Sequence, residues 1–243
     1  MPIQHRILSL VYNEFEALDL FGPLGAIVPR SDYYKVDFVN LHTFTSSQGI
    51  ETSIKNGLGI TGTISLTDAL RKDRAFDTLF IPGGFGMLPL VWDPVLLKQI
   101  GQLVDRAANV FTVCTGSILL AATGCLDGRQ ATTNKRLYDE ATPKHPAVKW
   151  QKRARWVQDG KFLTSSGVTA GIDAGFAFLA NTYVAPEDRQ AEAQDVGLRG
   201  ESTPIPGYNQ EKALKFAHMN AFGLEYRWHS DPADDPFVDL PTA

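Results

Sequence analysis

The stretch 109–124, NVFTVCTGSILLAATG, joins two unlike halves at a single cysteine. Val110, Phe111, Thr112 and Val113 are β-branched or aromatic and read as a strand, whereas Ile118, Leu119, Leu120, Ala121 and Ala122 read as a buried helix. Cys114, Thr115, Gly116 and Ser117 form the joint. A strand feeding a helix through so short a turn is a unit of a parallel α/β sheet. The joint also puts the thiol at a helix N-terminus, where unpaired N–H groups and the positive end of the dipole favour a thiolate. Cysteines so placed reach pKa values of about 3.5–7.5 instead of roughly 8.5. A tight turn further lifts the side chain into a cleft, as at the nucleophile elbow of hydrolases. The expectation for Cys114 is a nucleophilic, low-pKa thiol. The plain alternative is a buried core cysteine, a common fate for that residue.

Working outward, strand-like and helical runs alternate. RILSLVY (6–12) and YKVDFVNL (34–41) read as strands, with a short amphipathic helix in LDLFGPLGAIV between them. The Thr-, Gly- and Ser-rich stretch 43–65 reads as a hairpin or short edge strands. DTLFIPGGFG (77–86) is a buried strand ending in a Pro-Gly-Gly turn. DPVLLKQIGQLVDRAA (93–108) is a helix capped by Asp93 with Pro94 at its first position. RQATTNK supplies a short strand, RARWVQDGKFLTSSG (153–167) a hairpin turning at Asp159-Gly160, and 168–184 a helix rich in small residues. QEKALKFAHMNAFGLEY also reads as a helix, followed by a polar, proline-bearing tail. The pattern predicts one α/β domain over 1–185, with a mostly parallel sheet, and an extension over 186–243.

The chain has 243 residues, 44% of them hydrophobic, enough for one sizeable α/β core. The net charge of −4 argues against a nucleic-acid partner, which leaves a basic stripe on its protein. The N-terminal apolar run is short and broken by Asn13, Glu14 and Glu16, unlike a signal peptide. No stretch approaches the roughly 18 apolar residues of a membrane span, so a cytoplasmic protein is expected. The two cysteines, Cys114 and Cys125, would lie about 16 Å apart along a helix, too far for a disulfide. No CxxC or HxxxH spacing occurs, so no metal site is expected.

Ligands of open α/β sheets bind at the carboxyl ends of the strands. Asp19, Gly83-Gly84 and Cys114 all fall at such ends. A Gly-Gly turn is ordinarily only a turn; here a backbone N–H at Gly84 facing Cys114 would stabilise developing negative charge. Asp19 is either a cap for the helix that follows or an acid–base partner. Phe85, Trp92 and Trp156 belong either to a pocket or to the core.

With CTGS at the joint, LDLFGP upstream and SSGVTAGID downstream, the sequence resembles the DJ-1/PfpI (ThiJ) superfamily, and within it the isonitrile hydratases. The likeness spans roughly residues 6–185, and LEYRWHSDPADDPF resembles the family's ending. It implies a flavodoxin-like (glutamine amidotransferase-like) three-layer sandwich, a homodimer, a small-molecule substrate and no cofactor. By motif position it implies Cys114 as nucleophile, Asp19 as the acid–base carboxyl against the sulfur, and Thr115 as a hydrogen-bonding neighbour. Gly84 would lie in the turn whose backbone N–H faces the substrate site, where Phe85, next in the chain, is a candidate lining residue. Ser166, Gly167 and Val168 would line it from another, where serines narrow or polarise the pocket.

One departure matters. Many relatives read Ala-Thr-Thr-His-Trp where this chain reads ATTNK, so Asn134 replaces a histidine. A Cys–His dyad of the protease type therefore lacks its base. The resemblance implies hydration of an isonitrile to an N-substituted formamide. The alternatives are glyoxalase III-like processing of 2-oxoaldehydes, a biosynthetic tailoring step, and a cysteine redox sensor or ligand-binding module. Fusion to a helix-turn-helix regulator, seen in similar domains, is not expected, because the stretch after Val184 is short and not basic.

Overall fold

The strands 78–81 and 109–113 carry apolar side chains on both faces, and their flanks decide the architecture. Such strands must be covered on both sides, and here helices cover them. The computed structural model describes residues 4–28, 32–41, 50–51, 59–189 and 205–237. In chain order the first half is β1 (His5–Val11), α1 (Ala17–Ile27), β2 (Tyr34–Asn40), β3 (Ile50–Glu51), β4 (Gly59–Ile60) and β5 (Ile64–Ser65). Then come α2 (Leu66–Leu70), β6 (Thr78–Ile81), α3 (Met87–Leu90), α4 (Pro94–Arg106), β7 (Asn109–Val113) and α5 (Gly116–Ala122). The remainder is β8 (Gln130–Ala131), α6 (Tyr138–Ala141), β9 (Lys149–Trp150), β10 (Trp156–Asp159), β11 (Phe162–Ser165), α7 (Val168–Thr182) and α8 (Gln210–Gly223).

The main sheet runs β10-β11-β7-β6-β1-β2-β5, parallel except for the antiparallel β10–β11 hairpin. This is the α/β, flavodoxin-like layering expected. The hairpin turns at Gly160, whose φ of 57° suits glycine. Asp93 caps α4 through Val95 and Leu96 N–H, with Pro94 at the first position. Within 43–65, β3 pairs antiparallel with β4 and β5 joins the sheet edge; residues 43–49 and 52–58 lie outside the described part.

Register matters more than strand count. Ile81 stands beside Thr112, and Val113 beside Ser165, so β6, β7 and β11 end at one level. Their following loops, 82–86, 114–115 and 166–167, converge there with the segment that enters α1. Core side chains Leu79, Phe80, Ile81, Val110, Phe111 and Val113 are fully buried beneath them. Trp156 is buried in β10, so it belongs to the core and not to a pocket. Among the described residues no helix is long and apolar enough to cross a membrane.

Candidate active site

Cys114 follows the last residue of β7, one residue before the Thr115 N-cap of α5, and its φ is 57°, a left-handed conformation that a non-glycine residue holds at a cost of about 1–3 kcal/mol. Surrounding bonds impose it. Cys114 N–H donates to Ser165 O (3.1 Å), and Cys114 O accepts from Ser117 Oγ and Thr133 Oγ1 (3.0 Å each). The elbow read from the sequence is present, and Cys125 is likewise a free thiol.

Asp19 sits in the first turn of α1, fully buried. It is not the cap: Glu16 takes that role, accepting from Leu18 N–H at 3.3 Å. The Asp19 carboxyl instead lies beside the Cys114 side chain, both crowding the Cα of Gly83. Its Oδ2 accepts from Gly83 N–H at 3.1 Å, and its Oδ1 has no hydrogen-bond partner among the described residues. Gly83 is glycine because a Cβ there would stand 2.6 Å from Asp19 Oδ2 and 2.8 Å from Cys114 Cβ.

The electrostatics differ from the low-pKa expectation. Burial, joined by the charge of Asp19, pushes the Cys114 thiol well above its ordinary value, against the pull of Thr115 N–H and the Asn134 side chain. The seven-residue α5 cannot offset removal of the sulfur from water and its contact with a carboxyl. Burial, then the charge of Glu16, pushes Asp19 up to about 7. The two groups therefore act as one unit and hold one shared proton just above neutrality.

Gly84 differs as well. Its N–H donates to Thr115 Oγ1 at 2.9 Å and does not point freely at the sulfur; Thr115 Oγ1 in turn donates to Gly84 O at 3.3 Å. Thr115 thus ties the elbow to the glycine turn. On the opposite side, Ser166 is buried, with its N–H on Arg155 O (2.9 Å), and Gly167 and Val168 begin α7 beside the site. A Cβ at Gly167 would lie 3.5 Å from Asn134 Nδ2.

Two contributors were not legible. Tyr12, fully buried at the end of β1, donates to Pro82 O at 2.7 Å. Burial, with the charges of Asp19 and Cys114, pushes its ionisation far up, keeping it neutral. Asn134 reads in the sequence only as a lost histidine, whereas in the structure its Oδ1 caps the turn at 135–137 and its Nδ2 faces Gly167. The break in the ATTH motif was the available signal.

A cavity of about 370 Å³ lies on the α3 side of α5. Phe85, Ile118 and Leu137 line it, each a few residues beyond a site residue on the same segment, together with Trp92, which is 81% exposed. Its far rim carries Glu140 and Lys144, which pair at 3.2 Å. Among the described residues no group of three or more metal-ligating side chains occurs.

The chain is 32% identical over 206 residues to an isonitrile hydratase of Pseudomonas putida, covering 84% of this chain and 81% of that protein. It is 28% identical over 166 residues to the HTH-type transcriptional regulator CdhR of Pseudomonas aeruginosa, covering 68% of this chain and 47% of that one. A crystal structure of a ThiJ/PfpI family protein from Pseudomonas syringae superposes with a TM-score of 0.67 at 27% identity, covering 96% of this chain and 78% of the other. The DJ-1/PfpI family profile matches residues 5–181, and the chain therefore belongs to the DJ-1/PfpI family.

Proposed function

We propose that the protein is a cofactor-independent hydratase that converts an isonitrile, R–N≡C, to the formamide R–NH–CHO. The observation that carries this reading is the buried Cys114–Asp19 pair, a thiol and a carboxyl that converge at the Cα of Gly83. The similarity to an isonitrile hydratase supports the substrate.

The terminal isonitrile carbon is electrophilic. The Cys114 thiolate adds to it as Asp19 gives its proton to that carbon, forming the thioimidate R–N=CH–S–Cys114. Asp19, now a carboxylate, takes a proton from water as the water oxygen bonds the same carbon. Asp19 passes that proton to the substrate nitrogen, the C–S bond breaks to release the Cys114 thiolate, and the hydroxyl proton returns to Asp19 as the C=O bond forms, so the formamide leaves with the pair back in its starting state. The unpartnered Asp19 Oδ1 suits the water-activating step. The cavity beside Phe85 and Ile118 suits an apolar R group, because a linear R–N≡C carries its substituent straight away from the attacked carbon. Glyoxalase-type chemistry is less well served, since Asn134 cannot act as a base.

The test is formamide release from cyclohexyl or aryl isonitriles by the wild type, Cys114→Ala and Asp19→Asn. Turnover lost in Cys114→Ala and reduced at least a hundredfold in Asp19→Asn supports the reading. Absence of wild-type turnover on both substrates overturns it.

A further inference from the structure

We propose that the cavity beside the elbow takes a neutral arylalkyl substituent whose distal hydroxyl hydrogen-bonds the imidazole of His145, so that the preferred substrate carries a hydroxyphenyl group. The hydratase reading supplies only the place of the isonitrile carbon, at Cys114. The size and polarity of the cavity supply the rest.

An apolar cavity of about 150 Å³ holds one benzene. At about 370 Å³, this one has room for a ring and a short arm, about fifteen non-hydrogen atoms at most. Its elbow end is formed by Ile118, one helical turn beyond Cys114, and by Phe85, next to Gly84. Phe85, Leu88 and Trp92 are all exposed, so three large apolar side chains stand in water around one hollow. Scattered apolar residues on a surface are ordinary, whereas a cluster of them around a concavity marks a place that a ligand covers. Two aromatic rings and the Met87 thioether favour an aromatic occupant, through ring–ring and sulfur–ring contacts.

The opposite wall is the segment 137–145, and it is firmly held. Just before it, the buried Lys135 donates through Nζ to Ala154 O (2.8 Å) and Thr132 Oγ1 (3.0 Å), and Asp235 Oδ2 meets its charge at 3.2 Å. At the far end, His145 N–H donates to Thr142 O (3.0 Å) and His145 O accepts from Trp150 Nε1 (3.1 Å), which fixes the backbone that presents the ring. The half-buried imidazole lines the cavity and has no hydrogen bond to any described residue. Burial lowers its pKa, opposed by Asp127 and reinforced by Lys144. At neutral pH the ring is therefore uncharged, with one nitrogen a donor and the other an acceptor. Glu140 and Lys144 pair at 3.2 Å on the same rim, so a carboxylate or an ammonium group finds its counter-ion already taken. A neutral hydroxyl fits what is left.

The test uses the full chain and three unreactive ligands, the N-(2-arylethyl)formamides with 4-hydroxyphenyl, phenyl and 4-carboxyphenyl rings, in calorimetric titration. The hydroxyphenyl compound binds at least fivefold tighter than the phenyl one, about the worth of one hydrogen bond, and the carboxyphenyl compound binds weakest. His145→Phe, which keeps a ring without nitrogens, removes the preference, and His145→Gln, which keeps a donor and an acceptor, retains part of it. Should His145→Phe melt early, His145→Leu shows the same loss. Ala141→Phe fills the cavity from its partly buried wall and weakens the hydroxyphenyl compound at least tenfold. Equal binding of the hydroxyphenyl and phenyl compounds, a preference that survives in folded His145→Phe or His145→Leu, or tightest binding of the carboxyphenyl compound overturns the assignment to His145. Unchanged binding in folded Ala141→Phe overturns the cavity as the site. The matching isonitriles are then compared by kcat/KM. A chain that shows the binding preference but turns over no isonitrile keeps the cavity assignment and loses the hydratase reading; turnover with no preference between rings does the reverse.

Discussion

Asp19 and Cys114 are separated by the width of a glycine: both reach the point where Gly83 would carry a Cβ, at 2.6 and 2.8 Å. Asp19 belongs to the first turn of the helix that begins at Ala17 and Cys114 to the turn before the helix that begins at Gly116, so only the convergence of strand ends brings them together. Pressed against each other out of water, they cannot both ionise near neutrality.

The pH profile follows from that pair. Below about pH 7 Asp19 and Cys114 both hold protons; above it the one-proton state that starts the reaction accumulates. kcat/KM for formamide formation rises through a midpoint near 7 and falls only well into the alkaline range, where the raised thiol ionises. In Asp19→Asn the rising limb disappears with most of the activity.

The same carboxyl affects stability with a definite sign. Its folded pKa, about 7, lies above the ordinary 3.8, so the native state binds the proton more tightly than the unfolded chain. Relative stability is fully present below about pH 4 and is lost as pH rises to 7, by about 4 kcal/mol in all. Asn resembles the protonated acid. Asp19→Asn therefore melts close to the wild type below about pH 4, and gains on it by several degrees between pH 5 and pH 8. Equal melting temperatures at both pH values would contradict the buried, proton-holding carboxyl.

Gly83→Ala leaves every reacting group in the chain and still disables the site. The added methyl must displace Asp19, Cys114 or the Thr115 N–H, which its Cβ would approach to 2.7 Å. We expect at least a tenfold loss of kcat and a stability loss of about 1–3 kcal/mol, read by turnover and thermal melting.

The cavity makes a prediction about substrate shape. Trp92→Ala and Leu137→Ala remove walls of the proposed substituent pocket and leave the Cys114–Asp19 pair untouched. KM for cyclohexyl isonitrile rises several-fold in each, while methyl isonitrile, which does not reach the pocket, reacts as in the wild type. A uniform effect on both substrates would place the substituent elsewhere.

Away from the site, Arg155 and Asp173 form a buried ion pair at 2.6 Å, with Asp173 Oδ1 accepting from Tyr226 Oη (3.1 Å) and His229 N–H (3.0 Å). Asp173→Ala strands the guanidinium and frees the segment after α8, costing about 3–5 kcal/mol in thermal or denaturant unfolding. Arg155→Met with Asp173→Leu recovers part of that loss.

The elements visible in the sequence were those with local signatures. Asp93-Pro94 marks a helix start, Asp159-Gly160 a hairpin, and the buried strands 78–81 and 109–113 announce themselves by continuous apolar side chains. The elbow was legible for the same reason, because strand, turn and helix follow one another without a gap. What stayed hidden depends on contacts between distant segments. Whether Asp19 capped a helix or faced the sulfur turned on Glu16 taking the cap. The thiol's upward shift turned on how deeply the fold buries it, which the helix-terminus argument leaves out. Lys135 and Asp235, a hundred residues apart in sequence, carry no motif at all, and only the tertiary fold shows that each neutralises the other.

Synthesis proceeds from the N-terminus, and domains fold as their elements emerge. The strands that shape the elbow are complete by Ser165, yet the pair that locks the loop beneath Asn134 waits for Asp235. A growing chain would thus hold its thiol in place before it holds its partners in order. The residues around Asp235, made well after the elbow strands, complete the loop that follows β8.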